Sequence, residues 1–299
     1  MKEDEVKAIA ELIKSYPWIM VHVSGDGFAT DFGHCIQKKP LLIAKPTTLT
    51  ELRLTVKFAQ QHKMFLAVRG SAHTTGGQTL AENGLVIDMT SFNKIDEIQH
   101  DKLSQETFVC INSGASWLDV FKKTLHSGFA PPTYADWLHL TAGGTVSTGG
   151  IGQSSFLHGS QADNVLAMDI MTMTGQVLYC SPQENSELFD AVRAGLGQIA
   201  IIVNVYMRLL PAPKTVTVYK LLFTDLDKFI SAQLQLISQN GVAIHAIQAH
   251  ISFKEQSQIE KRMMKTLSHA QFEFIERTAD DWVYVLEVTH YGSASDDID

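Results

Sequence analysis

Cysteine is scarce in this sequence, and its three copies lie far apart. Cys35, Cys110 and Cys180 form no Cys-x-x-Cys pair, which argues against a disulfide framework and against a zinc site. We therefore expect three reduced thiols with a mostly structural role.

Positive charge is also in short supply. The chain has 24 Lys and Arg against 32 Asp and Glu, which gives a formal net charge of −8. Nucleic acids and anionic membranes attract clustered Lys and Arg, so neither is favoured as a partner. The sequence has no run of 18 apolar residues and no apolar segment of a secretory signal at its start. We predict a cytoplasmic protein that acts on a small molecule.

Several signatures of common enzymes are missing. A Walker loop ends in Gly-Lys-Ser/Thr and a Rossmann loop reads G-x-G-x-x-G, of which the chain has only the fragment 195–197. Neither the H-E-x-x-H spacing of zinc enzymes nor the G-x-S-x-G of hydrolases occurs. Hydrolase and zinc chemistry are therefore not expected, and no metal ligand is predicted. Histidines such as His139 and His158 are interpreted as structural.

Residues 131–153 are rich in glycine and hydroxyl side chains. Five glycines allow the backbone to turn tightly and to press its N–H groups against a ligand. Hydroxyl donors recur at Thr141, Thr145, Ser147 and Thr148, and Asp136 is the one acid of the stretch. We predict a loop that holds a pyrophosphate through amides and hydroxyls. The alternative is a glycine-rich connection that carries no ligand.

A second loop carries a histidine. The buried strand predicted at residues 65–69 runs into a turn over residues 70–78, bounded by Gly70 and Gly77, with His73 at its centre. Loops at the ends of buried strands often meet ligands. His73 is thus a candidate for chemistry, and a loop histidine satisfied by hydrogen bonds is the alternative.

The remaining pattern indicates an α+β fold, since strands and helices alternate without regular βαβ spacing. Thr48 and Glu51 form a capping box ahead of a helix. Ser116 caps another helix, with an apolar stripe at Leu118, Phe121 and Leu125. A hairpin is predicted at residues 165–180 and a long strand at 199–209.

A domain boundary is predicted at Pro211 and Pro213. Strands at residues 216–223, 242–253 and 282–288 and helices at 226–238 and about 255–269 follow it. The second region is thus a small sheet with helices on one face, ending in an acidic tail at 294–299 that we expect to fray.

Four segments resemble cytokinin dehydrogenases, flavoproteins of the vanillyl-alcohol oxidase or p-cresol methylhydroxylase type. They are residues 135–147, 156–161, 185–189 and 195–202. The resemblance implies a two-subdomain FAD-binding domain over residues 1–212. It also implies a partial antiparallel-sheet substrate domain over 213–299, with helices on one face, shortened relative to the family.

The resemblance also implies a set of FAD contacts. They lie in both glycine-rich loops and in the long strand, and their side chains are mostly small, hydroxyl-bearing or apolar, as a buried flavin and a pyrophosphate require. The implied contacts are Val68, Gly70, Ala72, His73, Thr74, Gln78, Asp136, Thr141, Ser147, Ile151 and Ile202.

Two of these residues receive chemical roles from the resemblance. His73 would bond covalently through a ring nitrogen to the 8α carbon of the flavin. The loop departs from the family at Ala72, which replaces a glycine, and at Thr74, which replaces a serine. Ala72 restricts the backbone if this position needs a positive φ. Asp136, flanked by Tyr134 and Trp137, is expected to be a desolvated carboxylate that accepts the substrate's amine proton.

The implied reaction is oxidation of the secondary amine of an N6-alkyl adenine. Hydride leaves for the flavin, and the resulting imine hydrolyses to adenine and an aldehyde. Oxygen or a quinone then reoxidises the cofactor. The alternatives are a related FAD-dependent oxidase of alcohols or sugars, and a truncated flavin-binding protein without turnover.

Overall fold

The computed structural model describes residues 11–23, 27–238, 244–253 and 282–292, together with residues 9, 25, 270, 273, 277 and 278. The chain divides into two compact units. The first unit contains residues 1–152 and 159–211, and the second contains residues 153–158 and 212–299. Among the described residues, no helix is both long and apolar enough to span a membrane.

The first unit begins with a four-stranded sheet. Its strands are β1 (Ile19–Val21), β2 (Leu42–Ala44), β3 (Leu66–Arg69) and β4 (Leu85–Asp88), in the order β1-β2-β4-β3. Strands β2, β4 and β3 are parallel, and β1 is antiparallel to β2. Helix α1 (Leu49–Gln61) connects β2 to β3 in sequence, and β4 lies between these two strands in the sheet.

Helix α1 starts as the sequence predicts. Thr48 Oγ1 accepts a hydrogen bond from the Glu51 N–H at 3.2 Å, and Glu51 Oε2 accepts one from the Thr48 N–H, also at 3.2 Å. Leu52, Val56 and Ala59 are buried against the sheet. The predicted capping box of this helix is confirmed.

The second sheet of this unit is antiparallel. It has the order β5-β6-β10-β8-β9, and β7 pairs with the far end of β10. The predicted hairpin forms β8 and β9, and the long strand begins and ends two residues later than predicted. The strands are β5 (Gln99–His100), β6 (Thr107–Asn112), β7 (Phe129–Ala130), β8 (Val165–Met171), β9 (Val177–Cys180) and β10 (Ile201–Pro211).

The helix capped by Ser116 buries a different face from the predicted one. Helix α2 (Trp117–His126) buries Trp117, Val120 and Thr124, whereas Leu125 of the predicted stripe is 50% exposed. Trp117 Nε1 donates a hydrogen bond of 2.9 Å to Thr145 Oγ1, so the largest side chain of the helix is satisfied inside the core. The predicted stripe was wrong by one residue because this bond selects the buried face.

Further helices lie in both units. Helices α3 (Ala142–Thr148) and α5 (Ser186–Val192) belong to the first unit, and α4 (Ser155–His158) belongs to the second. In the second unit, helix α6 (Leu226–Ser238) buries Phe229 against Leu286 and Val288.

The second unit contains a three-stranded antiparallel sheet. Strands β11 (Thr215–Phe223), β12 (Ala246–Phe253) and β13 (Trp282–Gly292) have the order β11-β13-β12. The helix predicted at about 255–269 and the acidic tail at 294–299 lie outside the described residues.

One histidine of the second unit is held in its neutral form. His245 Nδ1 accepts a hydrogen bond from the Tyr291 N–H at 3.1 Å, and the two rings stack with centroids 4.8 Å apart. Burial, followed by the charges of His290 and His158, holds the pKa of His245 below its ordinary value of 6.5. At this histidine, the unfolded chain therefore binds more protons than the folded chain as the pH falls below 6.5. Acid thus lowers the free energy of unfolding.

We expect His245→Asn to reduce this sensitivity to acid. Asn cannot titrate, and its Oδ1 can accept the same hydrogen bond from Tyr291. Urea unfolding at about pH 8 and about pH 5 checks this, since the loss of stability between the two should be smaller in the variant. An identical loss in both proteins would contradict the role given to His245.

Candidate functional site

The first unit contains a cavity of about 560 Å³. This volume is within the range of small-molecule and cofactor sites. Its wall is formed by strand β3, the loop after it, the start of helix α3, and residues 196–202 at the start of β10. Two elements that the sequence marked as ligand-binding therefore face the same space.

Nine of the eleven predicted cofactor contacts line this cavity. Asp136 and Ile151 are the two that are not among its lining residues. Ile151 is 80% exposed. The nine that line the cavity are Val68, Gly70, Ala72, His73, Thr74, Gln78, Thr141, Ser147 and Ile202.

Part of the predicted pyrophosphate loop is helical. Helix α3 includes Gly143 and Gly144, and its hydroxyl side chains bond to the helix itself. Ser147 Oγ donates to the Gly143 carbonyl at 2.7 Å, and Thr145 Oγ1 accepts the bond from Trp117. Bonds of this kind to the carbonyl four residues back are common for Ser and Thr in helices. The prediction of a loop with freely available hydroxyls was therefore wrong over residues 142–148.

Close backbone contact explains two of the glycines at the cavity. A Cβ on Gly70 would overlap Thr141 Oγ1. A Cβ on Gly143 would lie 2.5 Å from the Cβ of Ser113 and 3.1 Å from its Cα. The loop after β3, the end of β6 and helix α3 can therefore approach one another only with glycine at these two positions.

We expect Gly143→Ala to destabilise the protein by about 1–3 kcal/mol, because the methyl group meets the backbone of Ser113, which cannot move without shifting β6. Gly33→Ala is the matched control, since a Cβ there meets nothing closer than Cys35 Sγ at 3.5 Å. Urea unfolding of both variants checks the difference. Equal stabilities would show that the packing at Gly143 is looser than described.

His73 is held by an aromatic side chain from the N-terminal arm. Its ring lies over the ring of Phe32, with centroids 3.7 Å apart and an angle of 30° between the planes. The backbones also meet, since the Phe32 N–H donates to the Thr74 carbonyl at 3.0 Å. The imidazole is exposed, so it is oriented by this stack while remaining accessible.

The residue before His73 adopts a left-handed conformation. Ala72 has a φ of 56°, which glycine reaches without strain and alanine adopts at a cost. The sequence left open whether this position needs a positive φ. The structure shows that it does. Further along the loop, Gln78 Oε1 accepts a hydrogen bond from the Gly76 N–H at 3.2 Å. Its side chain thus helps to shape the turn.

Asp136 is exposed, contrary to the desolvated setting expected from its aromatic neighbours. One of those neighbours, Trp137, is itself 56% exposed and packs on the ring of His139. The same segment contacts the His73 loop, because Ser71 Oγ donates a 2.7 Å hydrogen bond to the His139 carbonyl. The segment that contains Asp136 is thus hydrogen-bonded to the loop that forms part of the cavity wall.

Sequence reasoning missed several lining residues. Met89 and residues 196–199 line the cavity, and so does Ser113, whose buried Oγ has no hydrogen-bond partner among the described residues. Ser113 and Gly114 follow strand β6 directly, and Gly70 and Ser71 follow β3 in the same way. A polar and glycine pair after a buried strand was therefore a signal that could have identified Ser113.

The residues of this cavity fit an FAD molecule. Gly70 and Gly143 allow the loop after β3, the end of β6 and helix α3 to form adjacent parts of its wall, and Val68 and Ile202 provide apolar wall. The buried Oγ of Ser113 supplies a donor that has no partner among the described residues. Among the described residues, no group of three or more His, Cys, Asp or Glu side chains could hold a metal ion.

Comparison with known proteins gives consistent matches. Residues 40–181 match the family described as FAD binding domain. An uncharacterized oxidoreductase of the fasciation locus of Rhodococcoides fascians is 40% identical over 218 residues, covering 73% of this chain and 48% of that protein. Cytokinin dehydrogenase 1 of Arabidopsis thaliana is 37% identical over 215 residues, covering 71% of this chain and 37% of that protein. The chain thus spans less than half the length of these relatives.

A solved structure shares the fold. The crystal structure of 6-hydroxy-D-nicotine oxidase from Arthrobacter nicotinovorans aligns with a TM-score of 0.71 at 20% sequence identity. The alignment covers 92% of this chain and 56% of that one. The mixed helix and sheet architecture predicted from the sequence is therefore confirmed.

Proposed function

From an FAD-binding domain at residues 40–181 and cytokinin dehydrogenases as homologues, we propose that this chain takes part in FAD-dependent amine oxidation. The cofactor would occupy the cavity of the first unit. The observation that carries this proposal is that nine residues, which the family resemblance implies as FAD contacts, line a single cavity. The substrate would be an N6-alkyl adenine, with oxygen or a quinone as the electron acceptor.

The two predicted domains have different proposed roles. Residues 1–212 hold the cofactor, and residues 213–299 supply part of a substrate domain. When bound, FAD supplies the two-electron oxidation by accepting hydride from the carbon next to the amine nitrogen. The chain's own contribution is to hold the cofactor, to orient the substrate and to receive a proton.

His73 is proposed as the site of covalent attachment. The stack on Phe32 fixes the plane of the imidazole, while the exposed ring stays accessible from the cavity. A neutral imidazole is a competent nucleophile near neutral pH, so the residue type suits a bond to the 8α carbon of the flavin. The positive φ of Ala72 supports this proposal, because the loop adopts a conformation that the family's glycine would favour at this position.

Asp136 is proposed as the acceptor of the amine proton. The support for this role is that its segment is tied to the His73 loop through the hydrogen bond between Ser71 and His139, and that Leu140, four residues after Asp136, lines the cavity. Loss of this proton as hydride leaves converts the amine to an imine, which water then hydrolyses to adenine and an aldehyde.

Anaerobic mixing with isopentenyladenine tests the substrate class. We expect the flavin absorbance of the loaded protein to bleach, because no acceptor is present to reoxidise the cofactor. Bleaching by alcohols or sugars in place of the adenine would favour a related oxidase. A flavin that none of these compounds reduces would favour a binding protein without turnover.

A further inference from the structure

Ser113 has a buried hydroxyl group that finds no hydrogen-bond partner in the part of the chain that the structure describes. Its side chain is at the end of strand β6 and lines the cavity, and the residue is 4% exposed. Oγ makes no hydrogen bond to any described residue. A buried polar atom without a partner is costly, so such atoms in native proteins usually have a ligand, a water or a functional role.

The backbone of Ser113 is fixed from two sides. Its N–H donates to the Val203 carbonyl on β10 at 2.9 Å, and its carbonyl accepts from the Gly143 N–H of helix α3 at 2.8 Å. The absence of a side chain on Gly143 permits this approach, since a Cβ there would be 2.5 Å from the Ser113 Cβ. Ser113 is therefore held at a junction of three elements and cannot withdraw from the cavity wall.

The surroundings of this hydroxyl suit a phosphate group held by neutral donors. Gly143 and Gly144 present backbone to the cavity, and the Oγ1 of Thr141 makes no capping bond to helix α3. Arg69, a cation in the lining, donates to the Gly27 carbonyl and packs over the ring of Phe28. The hydroxyl groups of Ser113 and Thr141 are therefore neutral donors that a phosphate oxygen can accept from.

We propose that Ser113 Oγ donates a hydrogen bond to an oxygen of the FAD pyrophosphate. This inference rests on the proposed function, because it takes the cavity of the first unit as the FAD site. It assigns a binding residue that the family resemblance did not imply. It also explains why the chain keeps a polar atom in a position where alanine would fit.

Ser113→Ala tests the inference through binding. In a His73→Ala background, which is expected to bind FAD reversibly, titration with FAD followed by flavin fluorescence should show affinity weakened about 10-fold or more, as for loss of a hydrogen bond to a charged group. Riboflavin has no phosphate, so its affinity should be unchanged. Ser181→Ala is the matched control, because Ser181 is 5% exposed but its Oγ already accepts from the Gln183 and Glu184 N–H groups.

Thermal unfolding of the apoprotein separates binding from structure. Ser113→Ala removes an unpaired buried hydroxyl, so the variant without FAD should be at least as stable as the wild type. A variant that loses stability and binds FAD as tightly as the wild type would overturn the inference. Equal weakening of FAD and riboflavin would also overturn it, and wild-type protein that binds no FAD would overturn the proposed function as well.

Discussion

Replacing Asp136 by Asn is expected to lower kcat/KM for isopentenyladenine by about 10²–10⁴-fold, the usual contribution of a general base. Asn keeps the shape and the hydrogen-bonding capacity of the side chain but cannot accept a proton. Since Asp136 is not part of the cavity lining, we expect the FAD content of the variant to match the wild type. The loss should therefore appear in the rate and not in cofactor binding.

The control for this variant is Asp227→Asn. Asp227 is an exposed carboxylate in the first turn of helix α6, so its replacement makes the same change of charge at a position without a proposed role. Its kinetics should match the wild type. The measurement is the steady-state rate of both variants. A fully active Asp136→Asn protein would show that Asp136 is not the proton acceptor.

Replacing His73 by Ala is expected to abolish covalent attachment of the flavin. In the wild type, colour should stay with the polypeptide after acid precipitation, and in the variant all of it should pass into the supernatant. Eight other predicted contacts still line the cavity, so the variant should bind FAD reversibly. The measurement is the flavin absorbance of the precipitate and of the supernatant.

His126→Ala provides the matched control for attachment. His126 is an exposed histidine in the last turn of helix α2, and the variant should retain its flavin as the wild type does. If flavin washes out of the wild-type protein, the covalent bond is excluded while FAD binding remains. If it stays with the His73→Ala protein, another residue is the point of attachment.

The two glycine-rich segments could be located from the sequence because each is a continuous run rich in glycine and hydroxyl residues. The contacts that their glycines permit, of Gly70 with Thr141 and of Gly143 with Ser113, join distant residues and could not be predicted. Capping is local, since Thr48 and Glu51 satisfy each other within a single turn. The cavity follows once the loop after β3 and helix α3 are adjacent.

Other features depended on contacts between distant residues. The buried face of helix α2 is set by the bond between Trp117 and Thr145, which are 28 residues apart. The exposure of Asp136 likewise depends on how its segment lies on the fold, and the aromatic residues beside it in sequence do not bury it. Neither result could be obtained from periodicity or from sequence neighbours alone.

The φ of Ala72 could be predicted only in part from the sequence. The sequence showed that alanine replaces a glycine of the family, but it could not show whether the position needs a left-handed conformation. The structure has φ at 56° and the neighbouring His73 ring stacked on Phe32. Contacts of the N-terminal arm thus offset a local preference that would otherwise oppose this loop.

The most direct test of the central claim is a crystal structure of the chain grown with FAD. We predict electron density for the cofactor in the cavity of the first unit, with its pyrophosphate against Ser113 and Gly143 and its flavin ring within bonding distance of His73. Density for FAD at any other place, or an empty cavity at saturating FAD, would contradict this account.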